Sequence, residues 1–243
     1  MKKTLLAAVT ASVLLTGCVE NIDMTAATDL YKAATISDQE VIALADQSAK
    51  QLDANNNVAP ASNKYAKRLA RITQGLNNED GLELNFKVYL TDEMNAFAMP
   101  NGTVRVYSGL MDKLTDDEVR FVIGHEVGHV KLGHTRKEYQ LAYAASAARK
   151  GASAAGGTVG MLSDSQLGDF THKLVSAQFS QSQESASDTY AVKFMKRHGW
   201  DASAGIGVMK QFQAMEAASG GSHSVFSSHP ASKDREEHIR DLL

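Results

Sequence analysis

The run His125-Glu126-Val127-Gly128-His129 constrains this chain more than any other feature. Thr115 with Glu118 three residues later forms a capping-box pattern, so a helix is expected to start there and to run to about Gly133. On a helix, side chains four residues apart lie on one face, and two imidazoles at that spacing can hold one Zn²⁺. Glu126 then lies beside the open position of the metal. From there it can take a proton from a metal-activated water and later pass it to a leaving amine. The plainer reading is an exposed helical His–Glu–His surface. Val119, Val122, Ile123 and Val127 argue against it, because they surround the motif with apolar side chains. Gly124 and Gly128 are unfavourable in a helix interior, which makes sense if a neighbouring element or a substrate must approach closely.

Zinc needs a third protein ligand if one position is to stay open. One solution places a further histidine six residues after the second, with a glycine between. Thr135 and Leu132 occupy those positions here, which excludes that class. His134 is out of register and is read as a neighbour of the site or a surface residue. A later segment, Ser180 to Asp188, offers carboxylates instead. Glu184 and Asp188 share a helix face, so Glu184 can complete the metal site while Asp188 fixes the tautomer of a ligating histidine. Spacing alone leaves a solvated acidic patch as an equal alternative.

The rest of the chain frames this motif. Ser37 and Glu40 predict the start of a helix carrying Val41, Leu44, Ala45 and Leu52, which Asn55-Asn56-Asn57 ends. A second helix is expected from Ser62, with Tyr65, Leu69, Ile72 and Leu76 on one side, and a turn follows at 77–81. Leu82 to Leu90 alternates as a strand, Asn95-Ala96-Phe97-Ala98 is a short one, and Asn101-Gly102 is a hairpin signal before a third strand at Thr103 to Tyr107. The remainder reads as helical. Residues 141–162 are rich in Ala and Gly but carry Arg149-Lys150. They fit a helix pair with a flexible joint, or a lid, rather than a membrane span. Helices, a small sheet and more helices predict an α+β fold in a single domain at 37–243. With 43% hydrophobic residues, the chain can bury one substantial core. Its net charge of −3 and the lack of a basic stripe predict no nucleic-acid partner.

The N-terminus reads as a targeting segment. Lys2 and Lys3 precede an apolar run from Thr4 to Thr16 that is short for a bilayer span, which fits a signal peptide over residues 1–17. Leu15-Thr16-Gly17-Cys18 resembles the lipobox of bacterial lipoproteins, and Cys18 is the only cysteine in the chain. Acylation at Cys18 predicts a lipid anchor, with residues 18–36 as a lipidated tether. By resemblance to Gram-negative lipoproteins, in which an aspartate after the cysteine retains the protein at the inner membrane, Val19 implies the outer membrane, facing the periplasm, if the host is such a cell.

Several of these features, in this order, make the sequence resemble the HtpX-like family of gluzincin zinc metallopeptidases, and within it the small outer-membrane lipoprotein members. They are Cys18, Asn95 to Ala98, Gly102 to Leu110, His125 to His129 with Gly133-His134, Glu184 to Asp188, and Ser228-His229-Pro230 with Arg235. The resemblance implies a mostly helical zincin-like domain with a small antiparallel sheet or hairpin beside the motif helix. It implies one Zn²⁺ per chain on His125, His129 and Glu184, with Glu126 as the catalytic base and Asp188 behind a ligand. Ser187 stands where the family has Ala. The His-Pro pair is expected back at the site, with His229 stabilising an oxyanion or filling the open metal position. Arg235 is expected to orient it or to pair with an acidic neighbour. The strand Thr103, Val104, Arg105, Val106, Tyr107 is expected to pair with an extended peptide. Unfolded or misfolded envelope proteins follow as substrates, with other envelope proteins as further partners. The rival reading is a zinc-binding chaperone or scaffold lipoprotein without hydrolytic activity. His172, His198, His223 and His238 carry no motif and are read as surface or packing residues. Replacing Cys18 by Ser is expected to abolish acyl labelling and release the protein from membranes, and unchanged membrane fractionation would refute lipidation.

Overall fold

Ser37 opens the first helix as its spacing predicts. Its hydroxyl accepts from the Glu40 amide, and the Glu40 carboxylate accepts from the Ser37 amide at 2.8 Å. The structure is a computed structural model describing residues 36–148, 164–175, 178–219, 229–230 and 233–243. Cys18, the expected signal peptide and the tether lie outside the described residues, apart from Ile36. Among the described residues no helix is long and apolar enough to cross a membrane.

Helix α1 (Asp38–Asn55) is followed by α2 (Lys64–Ile72), whose cap is Asn63 rather than Ser62, with its side-chain oxygen accepting from the Tyr65 amide. The expected turn at 77–81 closes a two-residue hairpin of β1 (Asn78–Glu79) and β2 (Leu82–Glu83). Then come β3 (Asn85–Tyr89), β4 (Ala96–Ala98), β5 (Thr103–Tyr107) and the short α3 (Ser108–Lys113). The motif helix is α4 (Asp116–Lys131), with α5 (His134–Ala148), α6 (Asp164–Val175), α7 (Gln181–Arg197), α8 (Ala204–Ser219) and α9 (Lys233–Asp241) after it. Of residues 141–162, expected to hold a helix pair with a joint, only 141–148 are described, as the end of α5, and the rest lie outside the described residues.

The sheet corrects one expectation. Its order is β3-β5-β4, with β4 antiparallel and β3 parallel to β5, so β5 is the central strand. Both of its edges are already paired. The strand Thr103, Val104, Arg105, Val106, Tyr107 therefore offers no edge to a peptide, and all five of its residues are buried, as in a strand covered on both faces. The open edge on the β4 side belongs to β4. Tyr107 donates to the Asn95 carbonyl and Met99 donates to the Thr103 carbonyl, each at 2.9 Å, so Asn95, Phe97 and Met99 face β5. By alternation Ala96 and Ala98 turn their backbone groups to the open edge.

Each face of the sheet buries a different cluster. Val88, Val104 and Val106 join the main core of α4, α7 and α8, while Tyr89, Phe97 and Tyr107 pack with α1, α5 and α6. Arg105 is 2% exposed and ties the sheet to α1. Its guanidinium donates to both Asp53 carboxylate oxygens at 2.8 and 2.9 Å and to the Asn85 carbonyl at 2.9 Å. Burial alone would raise the Asp53 carboxyl, but hydrogen bonds from Arg105, Lys87 and Tyr89 outweigh it and hold the group at about 2.

Helix α4 runs through the centre of the main core and packs on β4, α7 and α8. Its two glycines are needed for this. A Cβ on Gly124 would meet the Phe194 ring at 2.6 Å, and one on Gly128 would lie 3.1 Å from Tyr190 and 3.3 Å from the Ser187 backbone. The absent side chains let α7 approach closely and bring its first turns against the motif.

Candidate metal centre

Two capped helices set the register of the site. Thr115 and Glu118 complete a capping box at the start of α4, and Ser180 and Gln183 complete one at the start of α7. The first places His125, Glu126 and His129 in the buried middle of α4. The second places Glu184 in the first turn of α7 and Asp188 one turn later.

His125, His129, Glu184 and His229 each offer one ligand atom, and these atoms lie within 4.8 Å of one another. His125 Nε2 is 3.0 Å from His129 Nε2 and 3.4 Å from a Glu184 oxygen, and His129 Nε2 is 3.3 Å from the other. His229 Nδ1 is 2.9 Å from Glu184 Oε1 and 3.4 Å from His125 Nε2. Four donors held about 2.0–2.1 Å from one tetrahedral zinc ion sit about 3.3 Å apart, so this set has the spacing and the N/O chemistry that zinc takes.

Charge leads to the same conclusion. Glu126, Glu184 and Asp188 are buried together, with Arg235 as the one permanent cation among them in the described residues. Arg235 grips Asp188 through two bonds of 2.7 Å, reaches Glu184 Oε2 at 2.7 Å and donates to the Pro230 carbonyl at 3.1 Å. The approach to Glu184 Oε2 is close enough for an ion pair, yet this buried oxygen accepts no well-aligned hydrogen bond among the described residues. A carboxylate oxygen left in this way suits a metal bond. Burial would raise Asp188 and Glu184. Arg235 and His125 nevertheless hold Asp188 at about 2, and His125, His129 and His229 hold Glu184 far below the carboxylate range. Burial pushes both motif imidazoles down. Bonds to Asp188 and Glu184 reverse this at His125, raising it to about 9, while His129 stays well below its usual value. A proton on His125 thus offsets charge that a bound cation would otherwise offset.

The structure brings together every expected residue of the metal and catalytic set: His125, Glu126, His129, Glu184, Asp188, His229 and Arg235. Asp188 Oδ1 lies 2.9 Å from His125 Nδ1 and so fixes which nitrogen faces the centre. Arg235 acts on the two carboxylates and on the backbone beside His229 rather than on the His229 ring. Glu126 is buried 3.5 Å from His229 Nε2, and burial raises its carboxyl against the opposing pull of His229 and His125. His198 pairs with Glu79 at 3.0 Å and stacks on Trp200, and His238 meets Thr189 at 2.8 Å, so both are packing residues.

His134 is a neighbour of the site, one of the two readings its sequence position allowed, and a second neighbour, Phe179, was not anticipated. His134 Nδ1 sits 3.1 Å from His129 Nδ1, giving His129 the partner that Asp188 gives His125, and the Ser187 hydroxyl lies 3.5 Å behind His134. Phe179, just before the cap of α7, lies over the His129 ring at 3.8 Å between centroids and stacks on His229 at 5.3 Å. The sequence held a signal for His134, because Gly133 at φ 76° turns the chain back at the end of α4. Nothing comparable marked Phe179.

Residues 63–243 match Peptidase family M48. The chain belongs to that family. It is 44% identical over 247 residues to metalloprotease LoiP of Escherichia coli (strain K12), covering 99% of this chain and 96% of that one. It is 43% identical over 249 residues to metalloprotease YcaL of the same organism, covering 99% and 97%. A shorter match, 36% identical over 64 residues, joins 25% of this chain to 12% of the mitochondrial metalloendopeptidase OMA1 of Bos taurus. As an M48 member with the HExxH helix and a His–His–Glu–His group, the chain is a zinc metalloendopeptidase.

Replacing His134 by Ala should weaken zinc binding by about 10–100-fold, the range for removing a partner of a ligating imidazole. Gln at 134, whose amide oxygen can accept the same proton, should recover part of it. Chelator competition measures this, and an unchanged affinity in His134→Ala would remove His134 from the site.

Proposed function

We propose that this chain is a membrane-anchored endopeptidase that carries one Zn²⁺ and hydrolyses peptide bonds of unfolded or misfolded cell-envelope proteins. The observation that carries the reading is Glu126, a buried carboxylate with a raised pKa, set beside the converging ligand atoms of His125, His129 and Glu184. A zinc ion held by those three supplies Lewis acidity, lowering the pKa of a water and polarising a carbonyl. Glu126 takes the proton of the attacking water and returns it to the leaving amine, a task suited to a carboxyl raised towards neutrality. Asp188 holds His125 by its far nitrogen, and Arg235 holds Asp188.

The surroundings favour an extended peptide. Among the described residues the outer edge of β4 is unpaired and offers the Ala98 amide and the Ala96 and Ala98 carbonyls for backbone pairing, the Ala96 amide being held by Asn95, and such pairing gives affinity with little demand on sequence. An apolar pocket of about 30 Å³ beside His125 and Glu126, walled by Leu110, Phe121, Val122, Val208, Met209 and Phe212, suits a small apolar side chain. Unfolded chains expose such side chains, whereas folded ones bury them. The anchor and the place at the outer membrane, facing the periplasm, rest on the Leu15-to-Cys18 pattern and on a Gram-negative host.

His229 lies in the fourth donor position. This supports a closed resting form from which the ring withdraws to admit water and substrate, with its oxyanion role following that withdrawal. The same four-donor set is what the scaffold reading requires, so that reading keeps one observation in its favour. A purely structural site, however, has no use for a buried Glu126. Digestion of a casein-type substrate, with zinc analysis alongside, separates the two. Glu126→Gln should keep its zinc and lose about 10²–10⁴-fold in turnover. Full activity in that variant would end the assignment.

A further inference from the structure

A second cavity, of about 360 Å³, adjoins the catalytic cleft, and Asn95 lines both. Its volume lies in the range of small-ligand sites. Its walls come from the last turns of α1, the segment before β4, the end of β5 and one face of α6. The chemistry is opposite to that of the apolar pocket beside Glu126. Gln51, Asn55, Asn56, Tyr107 and Thr171 supply polar groups, His172 supplies an imidazole, and Glu93 supplies a carboxylate.

Three observations agree on what such a cavity would accept. Thr171 is 2% exposed, and its buried hydroxyl has no hydrogen-bond partner among the described residues. An orphaned buried hydroxyl is unfavourable, and a polar guest would relieve this. The cavity also sits at the C-terminal end of α1, an 18-residue helix whose last turn carries no basic side chain of its own, the cations that reach it from the sheet, Arg105 and Lys87, being paired with Asp53. Glu93 adds a full negative charge. Glu93 and Tyr107 line the cavity together, and after burial that charge is the second reason the Tyr107 hydroxyl is raised to about 12. The dipole end, a carboxylate and neutral acceptors make a field for a cation.

The position of the cavity decides whose cation it is. Asn95 immediately precedes β4, and its side-chain oxygen accepts the Ala96 amide at 2.9 Å, on the strand edge left open for a peptide. A chain lying along that edge reaches the cavity as it passes Asn95. We propose that this cavity is a substrate subsite that takes the cationic side chain of a lysine or arginine a few residues from the scissile bond, held by Glu93 and Thr171. The proposal rests on the endopeptidase reading and adds to it a preference for segments in which a basic residue follows or precedes an apolar one.

The test uses detergent-solubilised full-length chain carrying Glu126→Gln, so that binding is read without turnover. Fluorescent peptides share an apolar core residue and carry Lys, Leu or Glu at each flanking position in turn. They are titrated at pH 8, where imidazoles with ordinary pKa values are neutral. At one position Lys should bind about fivefold tighter than Leu, as for a partly exposed ion pair, with Glu weakest. Adding Glu93→Gln should bring the Lys-to-Leu ratio at that position to about one, and Thr171→Val should reduce it by a smaller factor. Peptides that bind with no positional preference for Lys, or a preference that survives Glu93→Gln, would overturn the subsite and leave the endopeptidase reading intact. Failure of every peptide to bind, together with no digestion of denatured protein by the wild type, would overturn both.

Discussion

Buried charge balance is the constraint on which the site depends. Glu184 and Asp188 are ionised in a core that also holds Glu126, and among the described residues Arg235 is their one permanent counter-charge. Burying ions is expensive unless each is paired and hydrogen-bonded. The arrangement meets this demand through one chain of contacts, from Arg235 to Asp188 and from Asp188 to His125, with a second branch from Arg235 to Glu184. The negative charge that remains pulls a proton onto His125 and equally favours a divalent cation at the same point. The bonds that keep the protein stable around this core therefore also prepare it for a metal.

The packing of α4 against α7 makes that chain possible. Gly124 and Gly128 let Phe194 and Tyr190 close onto α4, which sets the depth at which Glu184 meets the two imidazoles. Helix α9 then delivers Arg235 from the other side of α7. On the sheet side, β4 lies against α4 with its open edge near the cleft, so the surface that would align a peptide is braced by the helix that carries the chemistry. The apolar pocket and the polar cavity flank the same corner at Asn95, giving the cleft two environments of different character within the reach of one extended peptide.

Local features were legible in the letters, and non-local ones were not. The capping boxes at Ser37 and Thr115, the shared face of His125 and His129 and the turn at 77–81 involve residues a few positions apart, so their spacing carries the geometry. Glu184 was different. Spacing left it level with a solvated acidic patch, and only the resemblance to a family favoured it, because no pattern along one helix states which other helix it will meet. The strand Thr103 to Tyr107 was expected to pair with an extended peptide. Strand order is a property of the whole sheet, and Arg105 of this strand pairs with Asp53 of α1. His134 needed the reversal at Gly133 to come back to His129, and Phe179 reaches the rings from a segment with no pattern of its own.

The most direct test of the account is zinc-edge X-ray absorption, with metal analysis, on the zinc-loaded protein and on Glu184→Ala. The account predicts one zinc per chain in the wild type, with imidazole nitrogens and a carboxylate oxygen in its shell, and loss of the oxygen with much weaker binding in the variant. A wild-type shell that is unchanged in Glu184→Ala, or a protein that binds no zinc, would contradict it.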